Sequence, residues 1–222
     1  TENISGLTLR SAEAGVPAAV PVALTVDGAA ISSGPLPAIA HLVQSEGKWR
    51  LVSEAVHSGK HHGVQGPIGD AFNAHFLAVY GEGDLPLARA ELDAIRNPPS
   101  MLMIHGEFPL KAAAKVTADD IAGANLILFG TAKSNPLIAR LAPKLPASLM
   151  VAAGEGSAVV FIYPNPENPA HYVVIWTGPV LSAKLDVPLK AGWMMPISLL
   201  PDYLVVKDGK VTRAGHFDRD WK

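Results

Sequence analysis

The chain has no cysteine, which excludes disulfides, thiolate zinc sites and cysteine nucleophiles. Its apolar runs are short and broken by Gly or Pro. None approaches the roughly 20 residues that a membrane helix needs. Charged residues make up only 17%, and 18 basic against 20 acidic side chains leave a net charge of -2. No basic stripe stands out, so a nucleic-acid partner is not expected. Aromatic residues are 6% of the chain. Trp176, Trp193 and Trp221 fall on different predicted elements, which suits core or edge anchors better than a stacking platform.

Motifs are missing too. Nucleophilic catalysis on an α/β-hydrolase fold needs G-x-S-x-G at a strand-to-helix turn, and the chain has no such pentapeptide. Ser157, in Gly154-Glu155-Gly156-Ser157, precedes a predicted strand instead of following one. Ser58 and Ser134 have no better claim. No HExxH, P-loop or full dinucleotide fingerprint occurs. His57, His61 and His62 cluster near Asp70, but Lys60 sits among them and the spacing is not that of a metal site, so an exposed polar loop is expected. His75 and His105 lie beside predicted strands and are read as packing or hydrogen-bonded residues, with a general-base role as the alternative. No metal and no cofactor is expected.

What is present is a large apolar share, 49% of 222 residues, enough for a globular core. Residues 1–56 read as a β-rich module. Val22–Val26 ends at Asp27-Gly28, and His41–Gln44 and Lys48–Val52 flank Ser45-Glu46-Gly47, with Trp49 available for a small core. Residues 57–222 read as an α/β domain. Phe76–Tyr80 is a continuous apolar strand. A helix follows Asp84, with Leu85, Ala88, Leu92 and Ile95 on one face and Asn97-Pro98-Pro99 as its stop. Met101–Ile104 and Leu126–Phe129 read as further strands. Thr117–Asp120 reads as a capping box, and Ser134 or Asn135 as the cap of a helix with Pro136 first. Its place in a helical first turn accounts for the pair Asp119-Asp120. Val159–Tyr163 and Tyr172–Trp176 follow, separated by the Pro-rich loop Pro164–Pro169, and a terminal hairpin turns at Asp208-Gly209. Strands alternating with helices predict a mainly parallel, Rossmann-like or flavodoxin-like three-layer sheet.

In such a sheet, loops at the carboxyl ends of the strands bind ligands. Gly81-Glu82-Gly83 and Gly130–Asn135 each lead into a helix N-terminus, where free N–H groups attract anions, with Pro164–Pro169 as a third loop on the same edge. The candidate ligand-binding residues are therefore Gly81, Glu82, Gly83, Gly130, Ser134 and Asn135. Turn and cap chemistry explains the same residues without a ligand.

Taken in order, Gly63–Phe72 (GVQGPIGDAF), Phe76–Tyr80, Lys115–Ala122, Asn125–Gly130, Ser134-Asn135, Phe161–Pro166, Leu200–Tyr203 and Gly215–Asp218 resemble the C-terminal region that follows the catalytic domain in bacterial prolyl-oligopeptidase-like serine hydrolases, relatives of the α/β-hydrolase esterases and peptidases. The resemblance covers the chain from about residue 57, and more weakly its β-rich start. The chain departs from the family's acidic pattern at Ala113-Ala114-Lys115. The resemblance places the nucleophile upstream of this region, so it carries no catalytic residue on to this chain. It implies a non-catalytic accessory module or chain, partnered by a catalytic α/β-hydrolase domain, with a homo-oligomer left open. The start at Thr1 fits an expectation that the chain is part of a longer polypeptide. The alternatives are an independent domain holding an anionic small molecule or nucleotide at the two loops, and a free-standing enzyme using His105 or another His with a metal or a serine.

Overall fold

The computed structural model describes every residue except 1–3, 5, 18–19, 54–58, 62, 97–106 and 187–195. Residues 1–58 form one compact unit and residues 59–222 another.

The first unit is built from hairpins whose turns are written in the sequence. Strands β1 (Gly6–Arg10), β2 (Leu24–Val26), β3 (Ala29–Ser32), β4 (Ile39–Ser45) and β5 (Lys48–Val52) follow one another. The turn pairs Asp27-Gly28 and Glu46-Gly47 have positive φ at both residues, 50° and 78° in the first, 52° and 74° in the second. Such two-residue turns match the twist of the strands they join. The pairings are antiparallel, β2 with β3 and β4 with both β1 and β5. Val26, Leu42 and Trp49 form the unit's small core, and the Trp49 indole N–H donates to Asp27 at 3.1 Å.

The second unit holds the main core and one seven-stranded sheet. Its strands are β6 (Phe76–Tyr80), β7 (Leu110–Ala112), β8 (Asn125–Phe129), β9 (Ala158–Asn165), β10 (Asn168–Trp176), β11 (Tyr203–Lys207) and β12 (Lys210–Gly215). The helices are α1 (Leu85–Arg96), α2 (Ala118–Gly123), α3 (Pro136–Leu141) and α4 (Ala147–Gly154). Helix α1 buries Ala88, Glu91, Leu92 and Ile95, the predicted stripe with one carboxylate added. At α2 the capping box is present, Thr117 and Asp120 exchanging hydrogen bonds. Asn135, not Ser134, caps α3 by accepting from the Leu137 N–H. All five residues of β8 are buried. Because successive strand residues face opposite ways, both faces of the sheet are covered there.

The mainly parallel Rossmann-like or flavodoxin-like sheet is not what forms. The strand order is β12-β11-β9-β10-β8-β6-β7. Parallel pairs join β10 to β8, β8 to β6 and β6 to β7. Antiparallel pairs join β12 to β11, β11 to β9 and β9 to β10. The sheet is mixed, and the reason is connection length. A parallel pair needs a crossover of a dozen or more residues, whereas Pro164–Pro169 is no long loop. Strand β9 runs through Asn165 and β10 starts at Asn168, so the Pro-rich segment is a hairpin. Asp208-Gly209, with φ of 51° and 73°, closes a second hairpin.

The predicted strand Met101–Ile104 and the stop Asn97-Pro98-Pro99 lie outside the described residues. Helix α4 and the short strand β7 are additions that periodicity did not reveal. Among the described residues no helix is long and apolar enough to cross a membrane.

Candidate functional site

The two loops predicted to bind a ligand do meet. The Gly81 N–H donates to the Phe129 carbonyl at 3.2 Å, and the Glu82 N–H to the Ser134 carbonyl at 2.9 Å. Within the second loop the Thr131 N–H donates to Ser134 Oγ at 2.9 Å and the Lys133 N–H to Thr131 Oγ1 at 3.2 Å. Asn135 is fully buried. Its amide donates to the Phe129 carbonyl and its Oδ1 accepts from Leu137, each at 3.0 Å. Gly83 lies in the exposed turn beside Glu82.

This closure is very tight. Gly130 sits at φ +110°, and a Cβ there would collide with Asp84 Oδ2. A Cβ on Gly81 would lie 2.5 Å from the Ser134 carbonyl oxygen. The glycines are therefore required by close backbone approach. Asp84 Oδ2 is buried without a hydrogen-bond partner, and a carboxylate at this point repels an anion. The third loop is not on this edge at all. Asn165 pairs with Asn168, and β9 runs antiparallel to β10. The Pro164–Pro169 turn therefore lies at the amino ends of the parallel strands.

That opposite edge gathers the polar groups the sequence reading left scattered. Tyr172 is buried, and its hydroxyl donates to Asp70 Oδ2 at 2.5 Å while accepting from the Gln65 and Gly66 N–H groups at 2.5 and 3.0 Å. Burial, and then the bond to Asp70, push the phenol well above its ordinary value. Asn125 donates to the Ala71 carbonyl at 3.0 Å and accepts from the Tyr172 N–H at 2.9 Å. Asp202 is 1% exposed. Its Oδ2 accepts from Lys60 Nζ at 2.5 Å and from the Phe217 N–H at 2.9 Å. His216 Nδ1 lies 3.3 Å from Oδ1, outside hydrogen-bonding geometry. Gly66, at φ +73°, lies against Asp202 so closely that a Cβ would strike Oδ1. The Ile68 N–H donates to the Pro201 carbonyl at 3.3 Å.

Lys60, expected in an exposed polar loop, is thus an ion-pair partner of a buried carboxylate, with its ammonium 4.9 Å from the centroid of the Trp221 ring. His61 bonds within its own loop, Nδ1 to the Gly59 carbonyl at 2.9 Å. His75 Nδ1 lies 2.8 Å from the Gly123 carbonyl. His57, His62, His105, Ser58 and Trp193 lie outside the described residues. Among the described residues no group of three or more His, Cys, Asp or Glu side chains is placed to hold a metal. Ser157 is buried ahead of β9, and its carbonyl accepts from Thr177 Oγ1 at 3.2 Å. Ser134 Oγ is engaged within its own loop.

One buried carboxylate escaped notice in the sequence. Glu91 on α1 is fully buried and accepts from the N–H groups of Val180, Leu181 and Ser182 at 3.0, 2.8 and 3.1 Å, and from the Ser182 hydroxyl. It ties the segment after β10 to α1. Its position on the apolar stripe, three residues after Ala88 and four before Ile95, was the available signal.

In comparisons with protein-family models, with curated proteins and with solved structures, nothing matches this chain.

Proposed function

We propose that this chain is a non-catalytic accessory module of a serine hydrolase of the esterase or peptidase type, one that packs on or completes the catalytic α/β-hydrolase part. One observation carries the reading. The motifs behind the resemblance are far apart in sequence, yet their polar groups bond to one another directly or through Tyr172, which lies outside them. Asp70, Gln65 and Gly66 of the first motif converge on Tyr172. Asn125, which opens another, reaches Ala71 and Tyr172. Asp202 joins the Leu200–Tyr203 motif to the Gly215–Asp218 motif through the Phe217 N–H. A catalytic motif leaves its reactive atom open to substrate. Apart from Asp202 Oδ1 and the Asn165 amide nitrogen, which are buried without a partner, the polar groups named here bond internally, which suits a scaffold whose chemistry lies in a partner.

Fluorophosphonate labelling tests the proposal. The purified chain is expected to stay unlabelled, while the product of its complete reading frame, or of a neighbouring gene, labels on a serine outside these residues. A labelled serine within the chain would overturn the proposal. So would a genomic neighbourhood that encodes no hydrolase domain.

A further inference from the structure

A cavity of about 390 Å³ opens at the amino ends of the parallel strands, on the side of the sheet where β9 and β12 end and β11 begins. Four rings line it, those of Tyr163, Tyr203, Phe217 and Trp221. They are already packed into one cluster. Phe217 lies 5.9 Å from Tyr163, 5.3 Å from Tyr203 and 5.8 Å from Trp221, centroid to centroid, in tilted or edge-on contacts. Phe217 and Trp221 are 9% and 5% exposed, so the walls are held in place before any ligand arrives. Such preorganisation lowers the ordering cost of binding. The Trp221 indole N–H is buried without a hydrogen-bond partner, a donor with nothing to serve inside the protein.

The charge on the same walls has one sign. Lys144, Arg213 and Lys222 line the cavity together with His216, and no acidic residue does. Neither Lys144 nor Arg213 has a carboxylate partner among the described residues. The Arg213 guanidinium stacks over the Tyr203 ring at 5.9 Å, which orients its donors while leaving them free. The first turn of α4, Ala147–Leu149, forms a further wall and adds the partial positive charge of a helix start. Asp202, the nearest carboxylate to His216, does not line the cavity and is paired with Lys60.

Rings alone fit any apolar molecule, and cations alone fit any anion. Both together, in a volume within the ordinary range for small ligands, select a molecule that has a flat apolar body and a negative end. We propose that this cavity binds an aromatic carboxylate of one or two rings, the ring lying among Tyr163, Tyr203, Phe217 and Trp221 and the carboxylate meeting Arg213 and Lys144. The site is separate from the loops after β6 and β8, and it holds whether or not the chain works beside a hydrolase.

The test uses the full chain and isothermal titration with 2-naphthoate and its neutral isostere 2-naphthamide. Naphthoate is expected to bind with a Kd below about 1 mM and naphthamide at least ~10-fold more weakly, since a bidentate charged contact is lost. Arg213→Gln and, separately, Lys144→Gln are each expected to weaken naphthoate about 10-fold and to leave naphthamide unchanged. Both residues are exposed, so the unfolding midpoint should not move. No naphthoate binding at about 5 mM, equal affinity for the two probes, or variants that bind naphthoate like the parent would each overturn the proposal. Inorganic phosphate binding as tightly as naphthoate would remove the ring from it and overturn it as stated.

Discussion

Replacing Tyr172 with Phe deletes one oxygen and keeps the ring, which packs 6.3 Å from the Trp221 ring. That oxygen serves three partners, Asp70 and the N–H groups of Gln65 and Gly66. The bond to the carboxylate is the larger loss, about 1.5–3 kcal/mol. Gln65 is exposed, so its N–H recovers water. Gly66 is half-buried and recovers less, adding about 1 kcal/mol. The total is about 3 kcal/mol, a fall of roughly 6–12 °C in Tm for a unit of this size. The assay is urea unfolding followed by tryptophan fluorescence at pH 7, with the m-value expected to stay constant because the exposed surface is the same. Tyr163→Phe is the control, because that hydroxyl has no partner among the described residues and its loss should stay within about 0.5 kcal/mol. The phenol's ionisation is held above its ordinary value of 10.0. The stability it lends is therefore complete below that value and declines only as pH rises beyond it. If Tyr172→Phe behaves like the control, the convergence of the motifs on this hydroxyl is not what holds them together, and the scaffold reading loses its support.

Glu91→Gln keeps the shape but sets an amide donor against the Leu181 N–H or the Val180 and Ser182 donors. A loss of about 2–4 kcal/mol is expected, with faster hydrogen exchange at Val180 and Leu181; a loss under about 1 kcal/mol would refute it. The Asp120 carboxyl is held near 2 against an ordinary 3.8, first by the Lys111 ammonium, which reaches both its oxygens at 2.8 Å, and then by the Thr117 N–H. Its stabilising effect is complete above 3.8 and is lost as pH falls through about 2. In Lys111→Met the NMR titration midpoint of Asp120 should move up toward 3.8; an unmoved midpoint would show that Lys111 is not the cause.

The legible parts of the fold are those governed by local chemistry. Asp27-Gly28, Glu46-Gly47 and Asp208-Gly209 announced their turns because few residues tolerate positive φ. The capping box at Thr117 and the stripe on α1 were readable for similar reasons. Strand direction was not readable. The segment Pro164–Pro169 looks like a rigid loop, and only the pairing of Asn165 with Asn168 shows a hairpin. The two loops that carry the candidate residues come together because both follow adjacent parallel strands. The buried, unpartnered Asp84 Oδ2 between them was not legible, because an Asp ahead of a helix looks the same in sequence whether its oxygen is bonded or orphaned.

By itself the sequence determined the turns, the capped helices α2 and α3 and many of the strands, though not β1, β7 or α4, and it determined that polar residues recur in an ordered set of motifs. These are short-range properties, set by φ, by periodicity and by side chains within a few residues of the backbone they serve. Only the tertiary structure decided the mixed sheet, and with it the gathering of the buried polar network at the other edge. Tyr172 meets Asp70 and Lys60 meets Asp202 across more than a hundred residues. The rings of Tyr163 and Trp221 come together 5.8 Å apart beside Arg213. Contacts of that sequence separation depend on strand order and direction, which no local pattern encodes.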